Sequence, residues 1–313
     1  MSGTRVLVTC RQMQNCIEEF RASFDDRGIE IVLPDVVQQP TEEELIATIG
    51  DFDGMIAGDD PLTARVLENT GRMRIISKWG VGTDGIDKDA ARKLGIEVTN
   101  TPGVFGDEVA DVALGYLVML TRQLHRIDAS VREGGWLKHE GRSLSGKTMG
   151  IAGFGSIGEA VARRALGFGM QVVAHDVVDA ARGPAEAMGV GLVDSDELFR
   201  RSDAIVLCCP LTPETHHMVD ARTLALLPAG AYFVNVARGP LVDEPALVEA
   251  LRSGQVQAAA LDVFEEEPLP MESPLREFEQ CVFGSHNGSN ATEGVFRASA
   301  RAVENLFAGL DRP

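Results

Sequence analysis

"TMGIAGFGSIGEAVARRALGFGMQVVAHD", residues 148–176, runs from an apolar strand through a glycine-rich turn into a helix, then into a second strand that ends on an acid. Gly153, Gly155 and Gly158 stand where the strand becomes the helix, and Asp176 follows Gly158 by 18 residues. This order reads as one strand–helix–strand unit of a parallel sheet. In such a turn glycines let the backbone approach a pyrophosphate at the helix N-terminus, and the acid can accept hydrogen bonds from the adenosine ribose hydroxyls. A glycine-rich turn without a ligand has the same local pattern, so other segments have to carry part of the argument. Val177 and Val178, not an arginine, follow Asp176. A carboxylate there repels a 2′-phosphate, which favours NAD over NADP.

Working towards the N-terminus, short apolar runs alternate with amphipathic ones. Strands are expected at residues 5–9, 29–33, 54–57, 74–77 and 97–100, and Thr41 and Glu44 have the spacing of a capping box at the start of a helix. After "NTPG" comes "DEVADVALGYLVMLTRQLHRID", a helix too apolar around its circumference for a simple surface helix. Val112, Leu117, Val118 and Leu120 carry more apolar surface than one face hides, which suggests a contact between domains or subunits. A second alternating series extends from Thr148 to about His286, and "GVFRASARAVENLFAGL" closes the chain as a helix. No Gly/Ser linker separates the two series.

The 313 residues are enough for two domains of ordinary size, and 44% hydrophobic with 24% charged residues is a globular composition. A net charge of −18 argues against nucleic-acid or anionic-membrane partners, because such surfaces need cations to neutralise phosphates. Cys10, Cys16, Cys208, Cys209 and Cys281 have no C-x-x-C pair and are too few for a disulfide framework, so reduced thiols in a cytoplasmic protein are expected. The opening "TRVLVTC" lacks a leader pattern, and no apolar run reaches the roughly 18 residues of a membrane span.

Three later strands deliver ionisable residues. "AYFVNVARG" leads to Arg238, "QAAALDVFEEEP" to Glu267, and "CVFGSH" to His286. Ligands of an open parallel sheet bind beyond the carboxyl ends of its strands, the edge that also receives the dinucleotide. Taken singly, each residue has an ordinary alternative: Arg238 as a loop bridge, Glu267 as part of a solvated charge run, His286 as a satisfied turn residue. Together they form what 2-keto acid reduction requires. A guanidinium fork meets a planar carboxylate or carbonyl, an imidazolium protonates the developing alkoxide, and an anion keeps that imidazole charged.

With these residues in view, the chain resembles the D-isomer-specific 2-hydroxyacid dehydrogenase family over nearly its whole length. Matching stretches are "SKWGVGTDGIDKDAARKLGIEVTNTPG", "LSGKTMGIAGFGSIG", "PLTPETHHMVD", "FVNVARGPLVDEPALVEAL", "ALDVFEEEP" and "SHNGSNATEG". The likeness is greatest to the phosphoglycerate dehydrogenase branch. It implies two doubly wound parallel-sheet α/β domains with the active site in the cleft: a flavodoxin-like substrate domain over 1–100 plus 287–313, and a Rossmann NAD-binding domain over 101–286. It implies Arg238, Glu267 and His286 as the catalytic set, with Glu265 and Glu266 merely solvated. Val81 and Gly82 would offer backbone N–H groups to the substrate carboxylate, and Lys78 is a further substrate-binding candidate. Ser156 and Ile157 would touch the pyrophosphate and Asp262 the nicotinamide carboxamide, with Cys209 and Ala237 as further cofactor positions. No metal is expected.

The chain departs from the family at His286-Asn287-Gly288, where an apolar residue usually follows the histidine. It also ends at Pro313 without a regulatory domain, so serine feedback is not expected. The reading is therefore an NAD-dependent D-2-hydroxyacid dehydrogenase, expected as a homodimer. Relatives that sense NAD as corepressors, and formate dehydrogenases that pair the histidine with glutamine, are the rivals; Glu267 opposes the latter. The resemblance favours 3-phosphohydroxypyruvate as substrate over hydroxypyruvate or glyoxylate. "AGDDP" opposes it, since Asp59 and Asp60 stand where the phosphoglycerate branch carries an Arg-Ser pair. The pair can instead face solvent, and Lys78, or Arg132 or Lys138 of a partner subunit, could compensate for it towards a phosphate.

Overall fold

The computed structural model describes residues 3–35 and 39–312, which divide into two compact units, Met1–Val104 with Asn290–Pro313, and Phe105–Ser289. In the first unit five parallel strands, β1 (Thr4–Val8), β2 (Ile29–Val32), β3 (Gly54–Ala57), β4 (Ile75–Lys78) and β5 (Glu97–Thr99), lie in the order β2-β1-β3-β4-β5. β3 and β4 are buried at every position, as expected of strands covered on both faces. Leu7, Ile49, Met55, Val66 and Ile76 form one core there, and the closing helix Thr292–Leu310 covers β3 and β4. Ser77 Oγ donates to Ala302 O at 2.8 Å and Trp79 Nε1 to Ser299 Oγ at 3.0 Å, which pins that helix over the end of β4. Thr41 and Glu44 make the expected capping box.

The second unit is a seven-stranded parallel sheet. Its strands are β6 (Thr148–Ala152), β7 (Gln171–His175), β8 (Gly191–Leu192), β9 (Ala204–Leu207), β10 (Ala231–Asn235), β11 (Val256–Leu261) and β12 (Val282–Phe283), in the order β12-β11-β10-β9-β6-β7-β8. The order reverses beside β6, so the glycine-rich turn sits at the switch point.

The segment after "NTPG" is not one helix. Helix Gly106–Arg122 stops at Gln123, whose φ of 51° is left-handed, and Leu124–Arg132 restarts. The buried Gln123 side chain caps the first helix, donating to Leu120 O at 2.9 Å and Gln280 O at 3.2 Å. Leu117 and Leu120 are buried in the same chain, and only Val112 and Val118 of the four singled-out residues keep partial exposure. The helix spends its apolar face on helix Ser156–Gly167 and on β10 and β11, with Arg164 bridging to Asp107 and Asp111. The surplus that its sequence suggests is largely taken up by these contacts.

Candidate active site

The three ionisable residues leave neighbouring strands on one sheet edge. β10 ends at Asn235, and the buried Asn235 side chain knits the turn that follows it. Its Nδ2 donates to Arg238 O at 2.8 Å and its Oδ1 accepts Ala237 N–H at 3.0 Å. Arg238 thus leaves the strand on a fixed backbone, with its Nη1 donating to Ala237 O at 2.8 Å.

Glu267 and His286 meet directly. His286 Nδ1 lies 2.9 Å from Glu267 Oε2, with the side chains 29% and 26% exposed. Glu267 Oε1 accepts the Phe264 N–H at 3.0 Å, so both carboxylate oxygens are engaged and the loop folds back on itself. His286 has φ of 55°, which a non-glycine residue adopts only where the surroundings enforce it, a state concentrated at functional sites. The enforcing contacts come from Asp262. Its carbonyl accepts His286 N–H at 2.7 Å, and its Oδ2 accepts Gly288 N–H at 2.7 Å. Oδ1 accepts the Tyr116 hydroxyl at 2.9 Å. Burial, and then the Asp262 carboxylate, push the Tyr116 phenol well above its ordinary range, so it stays a donor. Sequence reasoning missed Tyr116; a tyrosine in an otherwise apolar helix was the available signal. Asp262 is buried and braces the histidine turn, while Asn287 is exposed.

Glu265 is not merely solvated. Its Oε1 lies 2.6 Å from His217 Nε2, and its N–H donates to Glu244 Oε1 at 2.8 Å. Glu266 is exposed.

The glycine-rich turn fits a dinucleotide. A Cβ on Gly158 would lie 2.2 Å from Gly153 O, and one on Gly153 would lie 2.6 Å from Cys209 N, so both close approaches need glycine. A Cβ on Gly155 would meet nothing within 4 Å, leaving open space at the start of helix Ser156–Gly167. The first N–H groups of that helix face this space without intrahelical acceptors. Asp176 accepts Phe154 N–H at 2.6 Å and Val178 N–H at 2.8 Å, which ties the acid to the turn and leaves lone pairs for a ribose. Cys209 and Ala237 lie just beyond the ends of β9 and β10 on the same edge.

In the first unit, Gly80 N–H donates to Thr101 Oγ1 at 3.0 Å and Val81 O accepts Asn100 Nδ2 at 2.7 Å. The Val81 and Gly82 N–H groups have no acceptor among the described residues. The two aspartates of "AGDDP" separate. Asp60 is 2% exposed and turned inward, one oxygen accepting both Thr9 Oγ1 and Gly58 N–H at 2.6 Å. Burial pushes its carboxyl up to about 6, against those two bonds and Lys78. Asp59 is half exposed and pairs with Lys78 Nζ at 3.1 Å, and Nζ also donates to Trp79 O at 2.7 Å.

Residues 114–288 match the family described as D-isomer specific 2-hydroxyacid dehydrogenase, NAD binding domain. The chain belongs to the D-isomer specific 2-hydroxyacid dehydrogenase family. It is 39% identical over 276 residues to a glyoxylate reductase of Korarchaeum cryptofilum, covering 86% of this chain and 83% of that protein. It is equally 39% identical, over 270 residues, to a D-3-phosphoglycerate dehydrogenase of Methanocaldococcus jannaschii, covering 85% of this chain and 51% of the relative's length. Among solved structures, a D-lactate dehydrogenase from Aquifex aeolicus complexed with NAD and lactic acid superposes with a TM-score of 0.84 at 27% identity, over 97% of this chain and 95% of that one. As a member of this dehydrogenase family the protein is an NAD-dependent oxidoreductase acting on a CH–OH group. No helix among the described residues is long and apolar enough to cross a membrane.

Proposed function

We propose that the protein reduces a small, unphosphorylated 2-keto acid such as glyoxylate or hydroxypyruvate to the D-2-hydroxy acid. The observation that carries this choice is the Asp59–Lys78 pair. The residue that could have met a substrate phosphate already has a carboxylate against it, and a phosphate dianion would face Asp59.

In this reading Phe105–Ser289 is the cofactor unit, with Gly153, Gly155, Ser156, Ile157, Gly158, Asp176, Cys209, Ala237 and Asp262 around NAD. The Val81 and Gly82 N–H groups are the candidate donors for a substrate carboxylate. When bound, the reduced nicotinamide supplies the hydride. Arg238 offers its fork to the substrate carboxylate and carbonyl. Glu267 accepts the His286 Nδ1–H, so Nε2 delivers the proton to the carbonyl oxygen and the remaining proton stays on Nδ1, hydrogen-bonded to Glu267. Tyr116 and Asp262 hold the His286 turn in its left-handed conformation.

Reduction of 3-phosphohydroxypyruvate is the second reading, supported by the identity to the phosphoglycerate dehydrogenase relative. Comparing kcat/KM for glyoxylate, hydroxypyruvate and 3-phosphohydroxypyruvate with NADH tests the choice. A clear preference for the phosphorylated acid would overturn the proposal.

A further inference from the structure

The segment "PLTPETHHMVD" makes a compact turn closed by Thr215, whose Oγ1 donates to Pro210 O at 2.8 Å and accepts Thr212 N–H at 2.8 Å. The turn is stitched to the chain that follows Arg238. His217 N–H donates to Pro240 O at 2.9 Å, Val219 N–H to Leu241 O at 3.0 Å, and Asp243 N–H to Val219 O at 2.9 Å. His217 itself has φ of 51°, a left-handed conformation that a non-glycine residue holds only under constraint. That conformation carries its ring, packed 4.0 Å from the His216 ring, to Glu265 at 2.6 Å.

Glu265 lies two residues before Glu267, in a loop pressed on Gly239. Its backbone N–H is held by Glu244, whose half-buried carboxyl is pushed up by burial against the opposing effect of that bond, with the Glu265 and Glu266 charges adding to the rise. Glu244, Glu265, Glu266 and Glu267 therefore crowd one short stretch. Like charges along one stretch repel one another, and the group shown against the Glu265 carboxylate is the His217 imidazole.

We infer that His217 and Glu265 form a clamp that holds the loop 264–267 and so sets Glu267 against His286, making His217 a positioning residue for proton delivery. The inference rests on the reading of Glu267 and His286 as the proton-delivering pair. The turn 210–220 is thereby tied into the active site although none of its side chains is assigned to substrate or cofactor.

The test is a set of variants assayed for NADH oxidation with whichever of glyoxylate, hydroxypyruvate or 3-phosphohydroxypyruvate the wild type turns over fastest. His217→Ala and Glu265→Ala are each expected to lower kcat about tenfold, less than the roughly hundredfold loss of a full ångström of misplacement, with KM for both substrates little changed. The double variant should lose no more than either single one, because the two act as a pair. His217→Gln, which keeps a donor in place, should recover most of the loss. In a Glu267→Gln background, His217→Ala should have no further effect.

Unchanged kcat in His217→Ala, additive losses in the double variant, or a persisting His217→Ala effect in the Glu267→Gln background would each overturn the clamp. Full activity of Glu267→Gln alone would instead refute the proton-delivery reading, and the clamp with it. Circular dichroism of each variant separates these outcomes from loss of fold.

Discussion

Gly239→Ala puts a single methyl group into the contact that holds the loop 264–267, which carries the proposed catalytic carboxylate. A Cβ at this position would lie 1.8 Å from both the carbonyl carbon and oxygen of Phe264, and 2.4 Å from Glu265 N. Ordinary contact begins at 3.4 Å, so one of the two backbone segments has to give by about 1.6 Å, and no flexible side chain can absorb it. If the loop moves, it strains the 3.0 Å Phe264–Glu267 bond and the 2.9 Å Glu267–His286 bond. If the other side moves, Arg238 moves with it. Displacement of this size at a reacting centre costs about a hundredfold in rate. Overpacking of this kind costs about 1–3 kcal/mol of stability, a fall of several degrees in Tm for a unit of this size. Steady-state NADH oxidation should show kcat reduced about a hundredfold, with NADH affinity, measured by fluorescence titration, largely kept because the glycine-rich turn is untouched. A folded Ala variant with wild-type kcat would refute the claim that this contact positions the catalytic residues.

Asp176→Ala should lower kcat/KM for NADH about 10–100-fold, the loss of one or two hydrogen bonds to a charged acceptor, while raising that for NADPH. Equal use of both cofactors by the wild type would sink the argument. Asp60→Asn keeps the oxygen that accepts both Thr9 and Gly58 while removing a buried charge. The Asp60 carboxyl is raised to about 6, so the folded state holds a proton that the unfolded chain releases near its ordinary value of 3.8. Wild-type stability therefore falls as pH rises through that window, the loss being complete above it. The Asn variant should gain in Tm over wild type as pH rises from about 4 to about 7; a gap that does not change with pH would show that Asp60 does not titrate there. A homodimer is expected from the arm at residues 131–140, exposed throughout and carrying Trp136 at 77% and Leu137 at 40% exposure, and a monomer at micromolar concentration in sedimentation velocity would reject it.

What could be read from the sequence alone is what short-range pattern encodes. Every expected strand of the first unit appears within a residue of its place, because continuous apolar runs bounded by turns have few other ways to be buried. The glycine spacing and Asp176 were legible for a related reason: within the strand-to-helix turn itself Gly153 takes a φ of 93° and Gly158 packs on Gly153 O, and both need glycine. Arg238, Glu267 and His286 could be placed because strand order in a parallel sheet carries their loops to one edge. Tertiary structure alone decided which partner each side chain takes. Asp59 and Asp60 are adjacent, yet one pairs with Lys78 and the other is buried against Thr9, 51 residues away. Glu265 meets His217 across 48 residues, and Tyr116 meets Asp262 across 146. Leu117 and Leu120, read locally as surplus apolar surface, are buried once their helix packs on helix Ser156–Gly167 and on β10 and β11, the strands beginning more than a hundred residues later. Backbone conformation follows from a few neighbouring residues, whereas a charge or methyl group finds its partner only after distant segments have packed, and local periodicity holds no record of that distance.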